Sequence, residues 1–291
     1  MQTTSWQKGT LRFLENYNPS DPEEISFRLI LRKIEKGSTL DFTSYKDKCL
    51  KRRIRVRLRS LEIDSFTEYF ELLQNNEKEL KELIDTITIN VTQFFRDLTT
   101  FQFLMENIMQ VMCEDKARET LRIWSAACAS EEEVYTIAIA IMEVFGRRLE
   151  KLKVDLIGTD IDDKSLELAN AGVYPSKNLR VLAENYPSYL EKYFVPSGKD
   201  NFKIKDSVRR IVQFKKRDVI KDPHYLNMDI IFCRNLFIYF EKSLQERILN
   251  RFHEDLLPNG YLVLGKVETI LGMGEKLFKS ISVKERVYQK I

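Results

Sequence analysis

WSAACASEEEVYTIA, residues Trp124 to Ala138, decides how this chain folds. An apolar, β-friendly run climbs to it from Leu121. A short loop of small residues follows, and then an amphipathic helix. Strand, tight loop and helix together form the cradle in which α/β proteins hold nucleotide-like cofactors. This loop has no glycine, and three consecutive glutamates, Glu131 to Glu133, stand where a nucleotide-binding loop usually has one.

Outward from this stretch the same grammar repeats. Leu121–Ala126 reads as a strand and Glu132–Leu149 as a helix. Val154–Thr159 and Lys164–Ala171 are the next pair, and Asp229–Arg234 and Lys242–Leu257 another. Tyr261–Gly265 and Val283–Gln289 read as later strands. Such alternation predicts a mostly parallel sheet covered on both faces. Three prolines, Pro175, Pro187 and Pro196, interrupt it. After them Phe202–Lys205 and Ile211–Phe214 read as an antiparallel pair, so residues 174–212 are expected to form a small inserted β subdomain.

Residues before about 100 show helical periodicity and almost no strand signal. Leu50, Ile54, Leu58 and Leu61 lie on one helical face, and Phe66, Tyr69, Phe70 and Leu73 on another. Ser65, with Glu68 three residues on, has the form of an N-terminal capping box. Asp41 and Thr43 are candidate starts for a helix carrying Tyr45. The expected organisation is a helical domain over 1–89, a connecting segment over 90–100 and an α/β domain over 101–291.

Composition narrows the chemistry. The chain has 291 residues, 43% of them hydrophobic and 31% charged, with a net charge of +3, so any argument from charge must be local. Cys49, Cys113, Cys128 and Cys233 show no paired spacing, which argues against zinc and against a disulfide framework. The two histidines, His224 and His253, exclude a multi-histidine metal centre. No signal-peptide shape and no apolar run of membrane-spanning length are evident, so a cytosolic protein is expected.

YKDKCLKRRIRVRLRSL (Tyr45–Leu61) holds eight lysines and arginines. Lys48, Arg52, Arg55 and Arg59 run down the side opposite the apolar stripe. Like charges at this spacing repel by a few tenths of a kcal/mol per pair. An acidic partner therefore suits this face, and nucleic acid, anionic lipid and an acidic protein helix all qualify; a solvated helix face is the plain alternative. At the cradle, Asp160 in IGTDID ends the second strand, where an acid commonly grips a ribose diol. A dinucleotide would favour glycines for close approach to its pyrophosphate. Their absence favours a nucleoside cofactor without phosphates, of which S-adenosylmethionine is the obvious one.

Four segments, in order, resemble the chemotaxis receptor methyltransferases, the CheR family. They are TINVTQFFRD (Thr88–Asp97), SAACASEEEVYTIA, GTDIDDKSLELANAGVY (Gly158–Tyr174) and FCRNLFIYF (Phe232–Phe240). The basic helix and NGYLVLGKVE (Asn259–Glu268) are similar to further parts of that family. The resemblance implies a class I, Rossmann-like methyltransferase sheet with an all-helical N-terminal domain. It implies transfer of a methyl group from S-adenosylmethionine to glutamate carboxylates on cytoplasmic chemoreceptor helices, leaving S-adenosylhomocysteine. By motif, Asn90, Thr92, Arg96, Glu132 and Asp160 are implied cofactor contacts. Asp218 and Val219 match a position, more typically Asn-Leu, beside the adenine. Arg234, Asn235 and Tyr239 match the methyl-transfer site, with Arg234 expected to orient the accepting carboxylate and Tyr239 to hold it. Lys48, Arg52, Arg55 and Arg59 are the implied receptor contacts. A monomer without metal, membrane insertion or nucleic-acid partner is expected.

One departure stands out. The family loop usually reads Ser-Thr-Gly-Glu-Glu-Pro-Tyr, and here Glu131 replaces the glycine and Val134 the proline. A charge on Glu131 facing the cofactor's carboxylate at about 6 Å, with an effective dielectric near 40, costs roughly 1.4 kcal/mol, about tenfold in affinity. The glutamates suit the helix dipole, which offsets part of that. Weakened cofactor binding is expected; a CheR-like regulatory module without catalysis is the alternative. A nucleic-acid methyltransferase fits less well, because CRNLFIYF stands where an Asn/Asp-Pro-Pro-aromatic run is common in enzymes that methylate base amino groups.

Overall fold

The computed structural model describes residues 20–38, 42, 45–88, 92–129, 132–223 and 225–291. Two compact units are present: Met1–Ile89 with Tyr239–Leu244, and Asn90–Ile238 with Gln245–Ile291.

The first unit is helical: α1 (Pro22–Gly37), α2 (Asp47–Ser60), α3 (Phe66–Gln74) and α4 (Glu77–Ile87). Each start except that of α2 is capped by a side chain accepting from the first turn: Asp21 from Glu23 N, Ser65 from Glu68 N, and Asn76 from Glu79 N. The apolar stripes meet in one core that includes Phe27, Ile30, Ile54, Leu58, Tyr69 and Leu83. A buried polar clasp joins three helices. Arg57 Nε and Nη2 each donate to Glu79 at 2.7 Å, and the Tyr69 hydroxyl donates to the same carboxylate at 2.7 Å. Burial works against the ionised Glu79, but these donors outweigh it and hold its pKa below the ordinary value. The expected helix start near Tyr45 needs correction. Tyr45 forms an isolated antiparallel bridge with Phe240, and Lys46 is the N-cap of α2. Asp41 and Thr43 lie outside the described residues.

The second unit is built on a seven-stranded sheet, ordered β6-β2-β1-β7-β8-β10-β9. Its strands are β1 (Thr120–Ala126), β2 (Lys153–Asp160), β6 (Val212–Lys216), β7 (Met228–Cys233), β8 (Leu256–Leu264), β9 (Phe278–Ser282) and β10 (Val287–Lys290). The first five are parallel neighbours, and β10 runs antiparallel to both β8 and β9. This is the mostly parallel sheet that the strand–helix alternation predicts. The main helices are α5 (Glu132–Phe145), α6 (Asp163–Ala171) and α7 (Lys242–Asp255). Ten of the 14 residues of α5 are buried, so it is covered on nearly all sides and not along one stripe alone. Gly146, at φ +48, ends α5 earlier than expected, and a 3-10 turn over Gly146–Glu150 follows.

A second, three-stranded antiparallel sheet has the order β3-β5-β4, with β3 (Val173–Pro175), β4 (Phe194–Pro196) and β5 (Asn201–Ile204). The expected partner of Phe202–Lys205 was wrong. β5 pairs with β3 and β4, whereas Val212 begins β6, the parallel edge strand beside β2. A helical turn over Asp206–Arg209 separates the two. The alternation in β6 tucks Val212 and Phe214 inward, with Phe214 edge-on to Tyr135, and leaves Gln213 and Lys215 exposed. The single late strand expected over Val283–Gln289 is a hairpin, β9 and β10, turning through Arg286 at φ +56.

Candidate active site

The parallel register brings five strand ends to one edge. Ala126 lies against Thr159, Asp160 against Lys216, and Cys233 against Leu264. Ligands of open α/β sheets bind outside such carboxyl ends.

The loop after β1 is tight without glycine. Ala127 and Ala129 both take φ +57, a left-handed conformation that costs a residue with a Cβ roughly 1–2 kcal/mol. Cys128 N donates to the Thr159 carbonyl at 3.0 Å, and Ala129 N to Asp160 Oδ2 at 2.8 Å. Ser130 and Glu131 lie outside the described residues, whereas Val134, the other departure from the family loop, is buried in the first turn of α5. Asp160 is 6% exposed, and its Oδ1 accepts from Asp162 N at 2.9 Å. Burial pushes its pKa up against these main-chain donors. The carboxylate keeps lone-pair capacity for a further hydroxyl donor. Beyond β6, Asp218 and Val219 form a turn in which Ile220 N donates to Asp218 Oδ1 at 2.7 Å.

Glu132 is fully buried, and its Oε1 accepts from Asn178 Nδ2 at 2.6 Å. Asn178 also takes Phe94 N on its carbonyl at 3.0 Å, while Phe95 N donates to Thr136 Oγ1 at 3.1 Å. Glu132 therefore braces the segment that carries Thr92 and Arg96, both half-buried, against α5 and the Ser176–Leu179 turn. Asn90 lies outside the described residues.

Arg234 differs most from expectation. Its side chain is 1% exposed, and both terminal nitrogens are committed. Nη1 donates to Glu133 Oε2 at 2.9 Å; Nη2 donates to Asp97 Oδ2 at 2.5 Å and to the Arg96 carbonyl at 3.0 Å. The guanidinium also lies 5.4 Å from the Phe101 ring centroid. With both terminal nitrogens engaged, Arg234 clamps Asp97 and the Arg96 carbonyl to Glu133 at the start of α5, while its buried Nε has no partner. Sequence reading missed Asp97 and Glu133 because the pairing spans more than a hundred residues.

Asn235, at φ +62, opens the loop after β7. Glu268, 3% exposed, accepts from Asn235 N at 2.8 Å, Gly265 N at 2.6 Å and Ile238 N at 3.4 Å. A Cβ on Gly265 would stand 2.7 Å from Asn235 Nδ2, so only glycine fits there. Burial pushes the Cys233 thiol well up, which leaves it inert. In the helical unit, Lys48, Arg52, Arg55 and Arg59 are all exposed. Tyr239 accepts from Arg53 Nη2 at 2.7 Å, with the guanidinium 5.7 Å from the ring centroid. Arg53 faces away from the exposed row, which is why the charge pattern did not single it out.

The donor set suits a nucleoside cofactor without phosphates: buried Asp160 for a diol, the Asp218 turn for a base, and no lysine or arginine between Ala127 and Glu133 to meet a phosphate. Residues 25–88 match the family described as CheR methyltransferase, all-alpha domain, and residues 90–287 match CheR methyltransferase, SAM binding domain. The chain belongs to the CheR methyltransferase family. Its second unit is an S-adenosylmethionine-binding domain, and the protein is an S-adenosylmethionine-dependent methyltransferase. It is 34% identical over 241 residues to a chemotaxis protein methyltransferase of Borreliella burgdorferi, covering 80% of this chain and 84% of that one. A chemotaxis protein methyltransferase of Listeria innocua is 32% identical over 248 residues, covering 85% of this chain and 91% of that one. A 104.1 kDa protein of Rhodobacter capsulatus is 32% identical over 253 residues; 87% of this chain is covered, but only 26% of that protein.

Proposed function

We propose that this CheR methyltransferase esterifies glutamate side chains on the cytoplasmic helices of chemoreceptors in chemotactic adaptation. The observation that carries the reading is an S-adenosylmethionine-binding domain joined in one chain to a helix with an exposed cationic row, Lys48, Arg52, Arg55 and Arg59. That row suits an acidic, glutamate-bearing helix. The names of the relatives above point the same way. The reading makes residues 1–89 the receptor-facing domain and 90–100 the segment lining the cofactor site. It assigns a monomer working in the cytoplasm; among the described residues, no helix is long and apolar enough to cross a membrane.

The cofactor, when bound, supplies a methyl group on a sulfonium, so the leaving thioether is neutral. Asp160 holds the ribose diol and the Asp218–Val219 turn the adenine. Arg96 and Glu132 serve the charged methionine end, with Thr92 beside them. Arg234 keeps Arg96 and Asp97 in register with the start of α5, and Asn235 caps the loop beyond β7. The accepting glutamate is already an ionised nucleophile, so no general base is required. Tyr239, fixed by Arg53, steers the accepting carboxylate. Positioning and removal of water from the attacking oxygen carry the acceleration. His253, the histidine among the described residues, contacts the Ile291 carbonyl and the Phe278 ring.

Calorimetric titration with S-adenosylhomocysteine, with Glu131→Gly alongside, tests the cofactor half. Micromolar binding by the native protein is expected, tightening about tenfold in the glycine variant. Binding only in the variant would favour the regulatory-module reading. Reversing the charges at Arg52, Arg55 and Arg59 should abolish methylation of a receptor fragment while leaving that affinity intact. Equal loss of both would refute the division of labour.

A further inference from the structure

We propose that Arg251 is a positioning residue that makes the protein selective for adenine over 6-oxopurines. The inference rests on the reading of Asp218–Val219 as the turn that meets the adenine.

Arg251 lies on α7, and its guanidinium donates to three main-chain carbonyls of one turn: Val219 at 3.0 Å, Ile220 and Asp222. A planar fork with five donors is suited to hold several carbonyls at once. The turn is tied from within as well. Asp222 Oδ2 accepts from Asp218 N at 2.8 Å, and Asp222 N donates to the Asp218 carbonyl at 3.0 Å. Arg217 N donates to the Asp160 carbonyl at 2.9 Å, which fixes the turn's distance from the proposed ribose acid.

The contact to Val219 has a specific consequence. That carbonyl and the Ile220 N–H belong to one planar trans peptide, so holding the first aims the second. The Ile220 N–H donates to Asp218 Oδ1 at 2.7 Å. Arg251 therefore orients the Asp218 carboxylate through a single rigid peptide unit, without touching it. The orientation matters because this chain has aspartate where the family typically has asparagine. An asparagine amide can turn over and present either a donor or an acceptor, whereas an ionised aspartate offers acceptors only. Held in place, it accepts from the 6-amino group of adenine and repels a 6-oxo group. Allowed to swing, it can turn from the 6-oxo group to water, and the discrimination is lost.

The test compares S-adenosylhomocysteine with S-inosylhomocysteine by calorimetry on the full chain, as native protein, Arg251→Lys and Arg251→Met. The native protein should prefer the adenine ligand by about a hundredfold. Arg251→Met should weaken S-adenosylhomocysteine about tenfold and reduce the preference to about tenfold or less, with kcat at saturating cofactor within about twofold of native. Arg251→Lys, which retains a single point of donation, should fall between, and it decides the matter if the methionine variant does not fold. Unchanged affinity and preference in a folded variant would overturn the proposal, as would equal weakening of both ligands, the mark of a merely structural arginine. A native protein that binds both ligands equally would overturn it by removing Asp218 from the adenine. A native protein that binds neither would overturn the proposed function, and this inference with it.

Discussion

Replacing Arg234 by methionine removes a guanidinium that is 1% exposed and leaves its two carboxylates facing each other, Asp97 at 28% and Glu133 at 13% side-chain exposure. Methionine fills much of the volume, so the loss is mainly electrostatic. Three charge-assisted hydrogen bonds disappear, to Glu133, Asp97 and the Arg96 carbonyl, each worth about 1.5–3 kcal/mol before the partners find water. The stranded like charges add to this, and the partial exposure of Asp97 lets water relieve some of it. The expected destabilisation is about 3–5 kcal/mol, the usual range when one partner of a buried pair is removed. For a domain of this size that lowers Tm by roughly 10 °C. Thermal unfolding followed at Trp124, a buried β1 residue, would read it. Adding Glu133→Gln to the methionine variant should restore part of the loss, because one stranded charge goes. S-adenosylhomocysteine affinity should fall in parallel, since Arg234 also holds the Arg96 carbonyl. A methionine variant with native Tm and native cofactor affinity but no turnover would refute the clamp and return Arg234 to orienting the substrate.

Three more outcomes are expected. Ala129→Gly, at φ +57, should stabilise the protein by about 1 kcal/mol in urea unfolding, because the relief of left-handed strain exceeds the glycine's entropic cost; a loss of stability would show that the loop is not strained there. Glu79 has a folded pKa below its unfolded value near 4.5, so its contribution is present above that value and is lost as pH falls through the lower one; Glu79→Gln should flatten stability against pH in that acid range, and an unchanged slope would exclude the clasp as its source. Gly265→Ala should reduce methyl transfer at least about tenfold, because its Cβ would stand 2.9 Å from Asn235 N and force the loop after β7 to move; native turnover would mean that the loop tolerates the shift.

The parts of the fold legible in the sequence were those set by local pattern. β7 is a nearly continuous apolar run because both of its faces are covered, and β1 carries Leu121, Ile123, Trp124 and Ala126 to the loop; such patterns are visible without knowing the neighbours. Asp160 was legible because its position, at the end of the second strand, is itself the signal. Pairing was not: Phe202–Lys205 and Ile211–Phe214 are both short and alternating, and nothing local says that one joins β3 and β4 while the other joins β2. The partners of buried polar groups were equally hidden. Asn178, Asp97 and Arg251 look like ordinary surface residues in sequence, and only tertiary structure brings them to Glu132, Arg234 and the Asp218 turn. Lys51, Arg53 and Arg57 were absorbed into one basic run, although they bind Glu24, Tyr239 and Glu79 respectively.

The large sheet ends on β6, whose outer ladder of N–H and C=O groups has no strand beside it among the described residues. An open edge of this kind invites strands from other molecules and is a common seed of aggregation. Here the exposed positions on that edge are Gln213, Lys215 and Lys216. A second copy adding its own β6 would bring Lys215 of each copy toward like charge, which opposes strand addition at this edge, while Lys216 is held by Asp163.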